Sequence, residues 1–294
     1  MIAVSASPSF ERLLGTWTVD PGLIAVLAGC AASSLLAAPR VRGGWPRTRS
    51  ALFLAGLAVL ATALLSGIDT YADDLLSVHM VQHMLLMMVA PVLLAWSAPV
   101  RLALAASRRR GRHAIATLLH HRAVAFATRP AFGSTLLCSV TLVTYLSGVF
   151  ELSLRNQAVH AVEHAAFFWS GVVCFAPLVA TDPLPRPPGA LARFGWLMVV
   201  MTAMVVAGTL LSFDTAVRYP FYLAPARALH VSALADQQLA GVVMWFGGGI
   251  FGAVLTLVLV TQALFAEERR QQRRDRYATE TPTAQPSATP TVTP

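Results

Sequence analysis

Seven apolar runs succeed one another along the chain, separated by short polar stretches. They cover roughly Pro21–Ala38, Ser50–Ser66, Leu75–Trp96, Ala131–Phe150, Asn156–Thr181, Leu191–Phe213 and Asp236–Phe265. A helix rises about 1.5 Å per residue, so about 20 apolar residues cross a hydrocarbon core about 30 Å thick. None of the runs shows the alternation in roughly ten-residue segments that a membrane barrel needs. In lipid the backbone must pair its polar groups within the segment, so each run is expected to be helical. The pattern predicts an all-α polytopic membrane protein with seven transmembrane helices.

Composition agrees: 56% of the 294 residues are hydrophobic and only 12% are charged, about half the charged fraction of soluble domains. The net charge of +8 raises the question of nucleic acid. Placement excludes that reading, because the basic residues are all arginines and most stand in the connections between apolar runs. The first connection holds four arginines, the third (98–130) seven and the tail "EERRQQRRDR" five, whereas the second, "GIDTYADD", has none. Arginine-rich connections stay cytoplasmic, so the N-terminus is expected outside and the C-terminus inside. The domains read as an extracytoplasmic segment 1–20, a membrane domain 21–266 containing the basic loop 98–130, and a basic, then disordered, cytoplasmic tail 267–294. The stretch before the first run lacks a basic start and a small-residue cleavage site, so no signal peptide is expected.

Smaller features have bland readings. The basic loop is expected to form an amphipathic helix on anionic headgroups, with His113, His120 and His121 on its surface. "GGGIFG" (247–252) sits within a span, where close helix packing explains it better than a nucleotide loop. The scattered Cys30, Cys138 and Cys174 read as small buried hydrophobes. The Pro/Thr-rich end from Ala278 is expected to be disordered.

Two strings resist a bland reading. "HMVQH" (79–83) and "HAVEH" (160–164) each set two histidines four residues apart, hence on one helix face. The predicted topology places both pairs at matching depths in the outer half of the membrane, about 6 and 12 Å below the helix starts. Ionisable residues within spans are rare and mark function. Asp236 stands at the mouth of the seventh run, Met244 about two turns deeper, and Met87 one turn below His83. Imidazoles with nearby thioethers and a carboxylate suit copper, the thioethers favouring Cu(I); zinc stays open. "HAVEH" also fits the H-x-x-E-H zinc protease pattern with Glu163 as base, but that leaves His79 and His83 unused and puts Glu163 close to the bilayer. Histidine boxes of di-iron desaturases would face the cytoplasm. A bis-histidine haem needs one histidine from each of two facing helices, and i,i+4 neighbours are too close for two stacked haems.

Three stretches, "HMVQHMLLMMVAPVLLAWSAPVRLAL" (79–104), "HAVEHAAFFWSGVVCFAPLVATDPLP" (160–185) and "LADQQLAGVVMW" (234–245), resemble the heptahelical CtaG-type cytochrome c oxidase assembly factors of bacteria. The likeness spans about Leu75 to Phe265. It implies a non-enzymatic plasma-membrane protein that helps copper reach a maturing haem–copper oxidase. The implied partners are an oxidase subunit or its copper donor, with the lipid bilayer around them. Carried over residue by residue, it points to His79, His83, His160 and His164, and to the Asp236-Gln237-Gln238 group with Met244. Some such proteins carry a fused copper-resistance domain, which is not expected here. A copper transporter is the alternative, but it should continue the ligands into the inner half, where only Cys138, Cys174, Met198 and Met201 are on offer.

Overall fold

The computed structural model describes residues 10–185 and 187–280. Its helices are α1 (Phe10–Gly15), α2 (Pro21–Ala37), α3 (Arg47–Leu65), α4 (Gly67–Ala72), α5 (Leu76–Met84), α6 (Ala90–Ser97), α7 (Pro99–Ala106), α8 (Arg109–Leu119) and α9 (Arg122–Ala127). Along the second half come α10 (Pro130–Leu146), α11 (Val149–Arg155), α12 (Gln157–Val179), α13 (Ala190–Ser212), α14 (Leu223–Ala228), α15 (Ala233–Val242) and α16 (Gly248–Glu280). Among the described residues there is no strand, only one isolated bridge, Trp17 to Ser66. Six helices or helix runs are long and apolar enough to cross a membrane, and the bent pair α10–α11 makes a seventh.

Large apolar side chains face outward, such as Val162 (68% exposed), Trp169 (61%) and Leu257 (64%). A soluble fold would hide them; a bilayer solvates them. Helix α2 is peripheral, burying only Ser34. Cys30 is consequently exposed on α2 rather than buried as expected, whereas Cys174 is buried and Cys138 partly so.

Helices α5–α6 and α12 run side by side in the same direction, from the histidines to the arginine-rich end. Both break there at an alanine in left-handed conformation, Ala98 (φ 56°) and Ala180 (φ 51°). Asp182, just beyond α12, accepts from the Arg101 (2.7 Å) and Val100 (3.3 Å) amides and so caps α7. The guanidinium of Arg193 hydrogen-bonds the Leu178 and Val179 carbonyls at the end of α12. Arg193 thus caps the end of α12.

Three departures from the expected pattern shape the interior. The third span carries a π-helical turn at Leu85–Val89 and the seventh another at Val243–Gly247. A π turn inserts one residue and rotates the rest of the helix by about 100°. The fourth span ends at Leu146 rather than running to Phe150, because the Ser147 hydroxyl donates to the Val143 carbonyl and accepts from the Val149 amide. The chain then turns by 73° into α11. Finally, α16 continues through the basic stretch to Glu280, so Ala278–Glu280 are helical; the rest of the expected disordered end lies outside the described residues.

Helices α8 and α9 lie within the basic loop, and α8 buries none of its residues. His113, His120 and His121 are exposed, as expected. The glycine-rich stretch is a packing device: a Cβ on Gly252 would strike the Met201 sulfur, and one on Gly248 would touch the Met84 methyl at 3.5 Å.

The closest approach to another backbone is at Gly171 on α12, where a Cβ would collide with the Met87 carbonyl inside the π turn. Gly171→Ala should therefore lower stability by about 1–3 kcal/mol. Gly29→Ala on α2, where nothing lies within 4 Å of the added carbon, should be neutral. Thermal unfolding of both variants in detergent measures the difference.

Candidate metal centre

The imidazoles of His79, His83, His160 and His164 converge. One ligand-capable atom from each lies within 4.8 Å of all the others. His79 Nε2 stands 3.0 Å from His83 Nε2 and 3.4 Å from His160 Nε2. Ring centroids of His160 and His164 are 4.1 Å apart, and those of His83 and His164 5.4 Å. His79 and His83 are fully buried, while His160 and His164 are partly exposed.

Helix packing explains the convergence. The i,i+4 spacing puts each pair on one face, and Gly171 lets α12 lie directly against the third span. The fourth connection closes the cluster, because the bend after Leu146 drives Phe150 inward. Its ring is fully buried, 5.2 Å from His79, 6.0 Å from His83 and 4.7 Å from Tyr219.

Two tyrosines set the ring orientation. The Tyr222 hydroxyl donates its proton to the Ala72 carbonyl (2.9 Å), so its oxygen accepts from His79 Nδ1 at 2.8 Å. His79 therefore carries its proton on Nδ1 and presents a lone pair at Nε2. Tyr145 bonds His83 Nδ1 at 2.7 Å. Two Nε2 lone pairs facing each other at 3.0 Å repel unless a proton or a cation lies between them. With no ion, the consistent arrangement has Tyr145 donating to His83 Nδ1 and His83 Nε2 donating to His79 Nε2. His164 Nε2 is buried with no hydrogen-bond partner. Buried polar atoms are normally paired, so this nitrogen marks a place for a ligand.

The remaining predicted residues take other positions. Asp236 accepts from the Leu76 amide (2.7 Å), the Ser77 amide and the Ser77 hydroxyl, and so caps α5 from α15. It stands outside the four-imidazole group and holds the helix that carries two of its members. Met87 and Met244 are fully buried in a core rich in methionine, with Met80, Met84, Met88, Met201 and Met204. Each lies in one of the π turns, so straight-helix spacing does not describe where its sulfur points. Gln237 and Gln238 tie α15 to the preceding loop through the Ala216 and Asp214 carbonyls. Glu163 is only 5% exposed rather than close to the bilayer, and neither carboxylate oxygen has a hydrogen-bond partner.

An open cavity of about 470 Å³ reaches the cluster from the membrane surface. Its lining includes His160, His164, Asp69, Asp73 and Arg155. Asp69 accepts a 2.7 Å bond from Gln82. Burial pushes its carboxyl up to about 6, against that hydrogen bond and with a further push from Asp73. Above about pH 6 Asp69 is therefore ionised. Arg155 is held by Glu151 four residues earlier.

The family model of the cytochrome c oxidase caa3 assembly factor matches residues 34–265, about four fifths of the chain. The chain belongs to that family. The matched segment contains all four histidines, both tyrosines that orient them and Asp236, and omits α1 and most of α2. Among curated relatives, an uncharacterized protein of Mycobacterium leprae is 28% identical over 285 residues, 93% of this chain and 43% of its own length. Uncharacterized proteins of Mycobacterium bovis and Mycobacterium tuberculosis are each 30% identical over 282 residues, 92% of this chain and 43% of theirs. The chain thus spans less than half the length of the curated relatives it matches. No solved structure matches.

Sequence reasoning missed Tyr145, Tyr222 and Phe150, which lie outside both histidine strings. Their signal was a hydroxyl inside or beside an apolar run, since a buried tyrosine needs a polar partner; Phe150 carried none. Tyr222→Phe removes the acceptor of His79 Nδ1–H and leaves the Ala72 carbonyl without its donor. It should destabilise the metal-free protein by about 1–3 kcal/mol. Thermal unfolding in detergent with chelator reads the loss.

Proposed function

We propose that this protein holds a copper ion transiently between His79, His83, His160 and His164 and passes it to a maturing haem–copper oxidase. The observation that carries the reading is the meeting of four imidazoles from two helices, with the buried His164 Nε2 left unpaired among them. Imidazole suits copper and zinc alike; membership of an oxidase assembly family favours copper. Four neutral imidazoles leave the charge of the ion uncompensated, so a monovalent ion is the easier guest at membrane depth. Tyr222 and Tyr145 would act as outer partners that fix which nitrogen faces the ion.

One-sided handling is favoured over transport. Beneath the imidazoles the core is closed by Met87, Met88, Phe167, Cys174 and Phe175, all fully buried. The cavity lined by Asp69 and Asp73 opens at the histidine end and gives a cation an anionic approach. By the arginine count that end would face the extracytoplasmic side, in our reading that of a bacterial plasma membrane. The close ring contacts also favour a small ion over a planar haem.

Metal analysis of the protein purified under reducing conditions tests this reading. Wild type should carry about one copper per chain, the quadruple His→Ala variant none, and cells with the variant should assemble little active oxidase. Equal copper in both proteins contradicts it. Asp69→Asn with Asp73→Asn should slow copper loading about tenfold at low salt while leaving the final stoichiometry intact. Stopped-flow loading measures the effect, and an unchanged rate removes the cavity from the route.

A further inference from the structure

The opposite end of the molecule carries a second, differently charged cavity. It is open, has a volume of about 810 Å³, and is lined by Arg40, Arg42, Arg101, Arg108, Arg109 and Arg112. These arginines come from two segments distant in sequence: the turn after α2, and α7 with the start of α8. No carboxylate lines the cavity, and none of the six takes part in an ion pair among the described residues. Arg112 is positioned by the Leu104 and Ser107 carbonyls. Arg49, at the same end, has a buried Nη1 with no hydrogen-bond partner. Six guanidinium groups around one space repel one another, and an anion relieves that repulsion. Guanidinium matches the fork geometry of phosphate.

Helix α7 shows which anion fits. Arg101, Leu104 and Ala105 lie on one of its faces and line the arginine cavity. Pro99, Leu102 and Ala103 lie on the other face. They line a separate apolar crevice of about 270 Å³ with Ala37 of α2 and Phe53 of α3. A charged chamber and an apolar crevice thus share one short helix where the spans end. We propose that this is a binding site for an anionic phospholipid, its phosphate among the six arginines and an acyl chain along the crevice. Juxtamembrane basic pockets recognise such headgroups. The crevice sets the lipid apart from free phosphate, which would use only the charged half. The site rests on its own geometry and is independent of the copper reading.

Thermal unfolding of the full chain in detergent tests the site, with phosphatidylglycerol, phosphatidylcholine or inorganic phosphate added. Phosphatidylglycerol should raise the melting temperature of wild type by about 5 °C at saturation, phosphatidylcholine should not, and inorganic phosphate, using only the charged half, should give a much smaller rise. Arg40→Gln with Arg42→Gln, Arg108→Gln and Arg109→Gln should lose most of that rise. A control with Arg269, Arg273, Arg274 and Arg276 changed to Gln removes the same charge from α16 and should keep it. An equal rise in both variants overturns the proposal, as does a rise that phosphatidylcholine or inorganic phosphate reproduces.

Discussion

An imidazole at membrane depth has two nitrogens, and each needs a partner that lipid cannot supply. Four such rings in one place make this the ruling constraint of the structure. Outward-facing nitrogens are met by tyrosine: Tyr222 on His79, anchored in turn on the Ala72 carbonyl, and Tyr145 on His83. Inward-facing nitrogens meet one another, and His164 Nε2 meets nothing. The arrangement is balanced on its outside and open at its centre, which suits the proposed uptake and release of an ion.

Much of the surrounding architecture serves that balance. The turn after α10 brings in Phe150 as an apolar cover, and the segment before α14 delivers Tyr219 and Tyr222. Asp236 fixes the first turn of α5 from across the bundle, so that His79 and His83 are held by a second helix as well as by their own. Gly171 permits the contact between α12 and the π turn of the third span. The charge distribution is polar along the membrane normal: an acidic mouth with Asp69 and Asp73 leads to the histidines, and arginines crowd the other end.

Hydropathy alone revealed the spans, because lipid solvates apolar surface and leaves runs of about 20 residues as the dominant signal. The i,i+4 histidine pairs were equally plain, since helical periodicity converts spacing into a shared face. Three things were hidden. The π turns have no sequence marker, and both fall on methionines nominated as ligands, whose direction straight-helix geometry could not give. Asp236 looked like a ligand because a carboxylate near histidines suits a metal, yet helix capping draws on the same charge and proximity. Counting around α12 points Glu163 toward the bilayer, whereas the bend into α11 covers that side. In each case the missing knowledge was tertiary, supplied by segments remote in the chain.

The central claim is that the four imidazoles share one ion, and X-ray absorption at the copper K-edge of the loaded protein examines it directly. The account predicts a nitrogen shell with the outer scattering pattern of several imidazoles, lost when His79 and His160 are replaced by alanine. A shell dominated by sulfur, unchanged by those substitutions, would place the ion among the buried methionines and contradict the account.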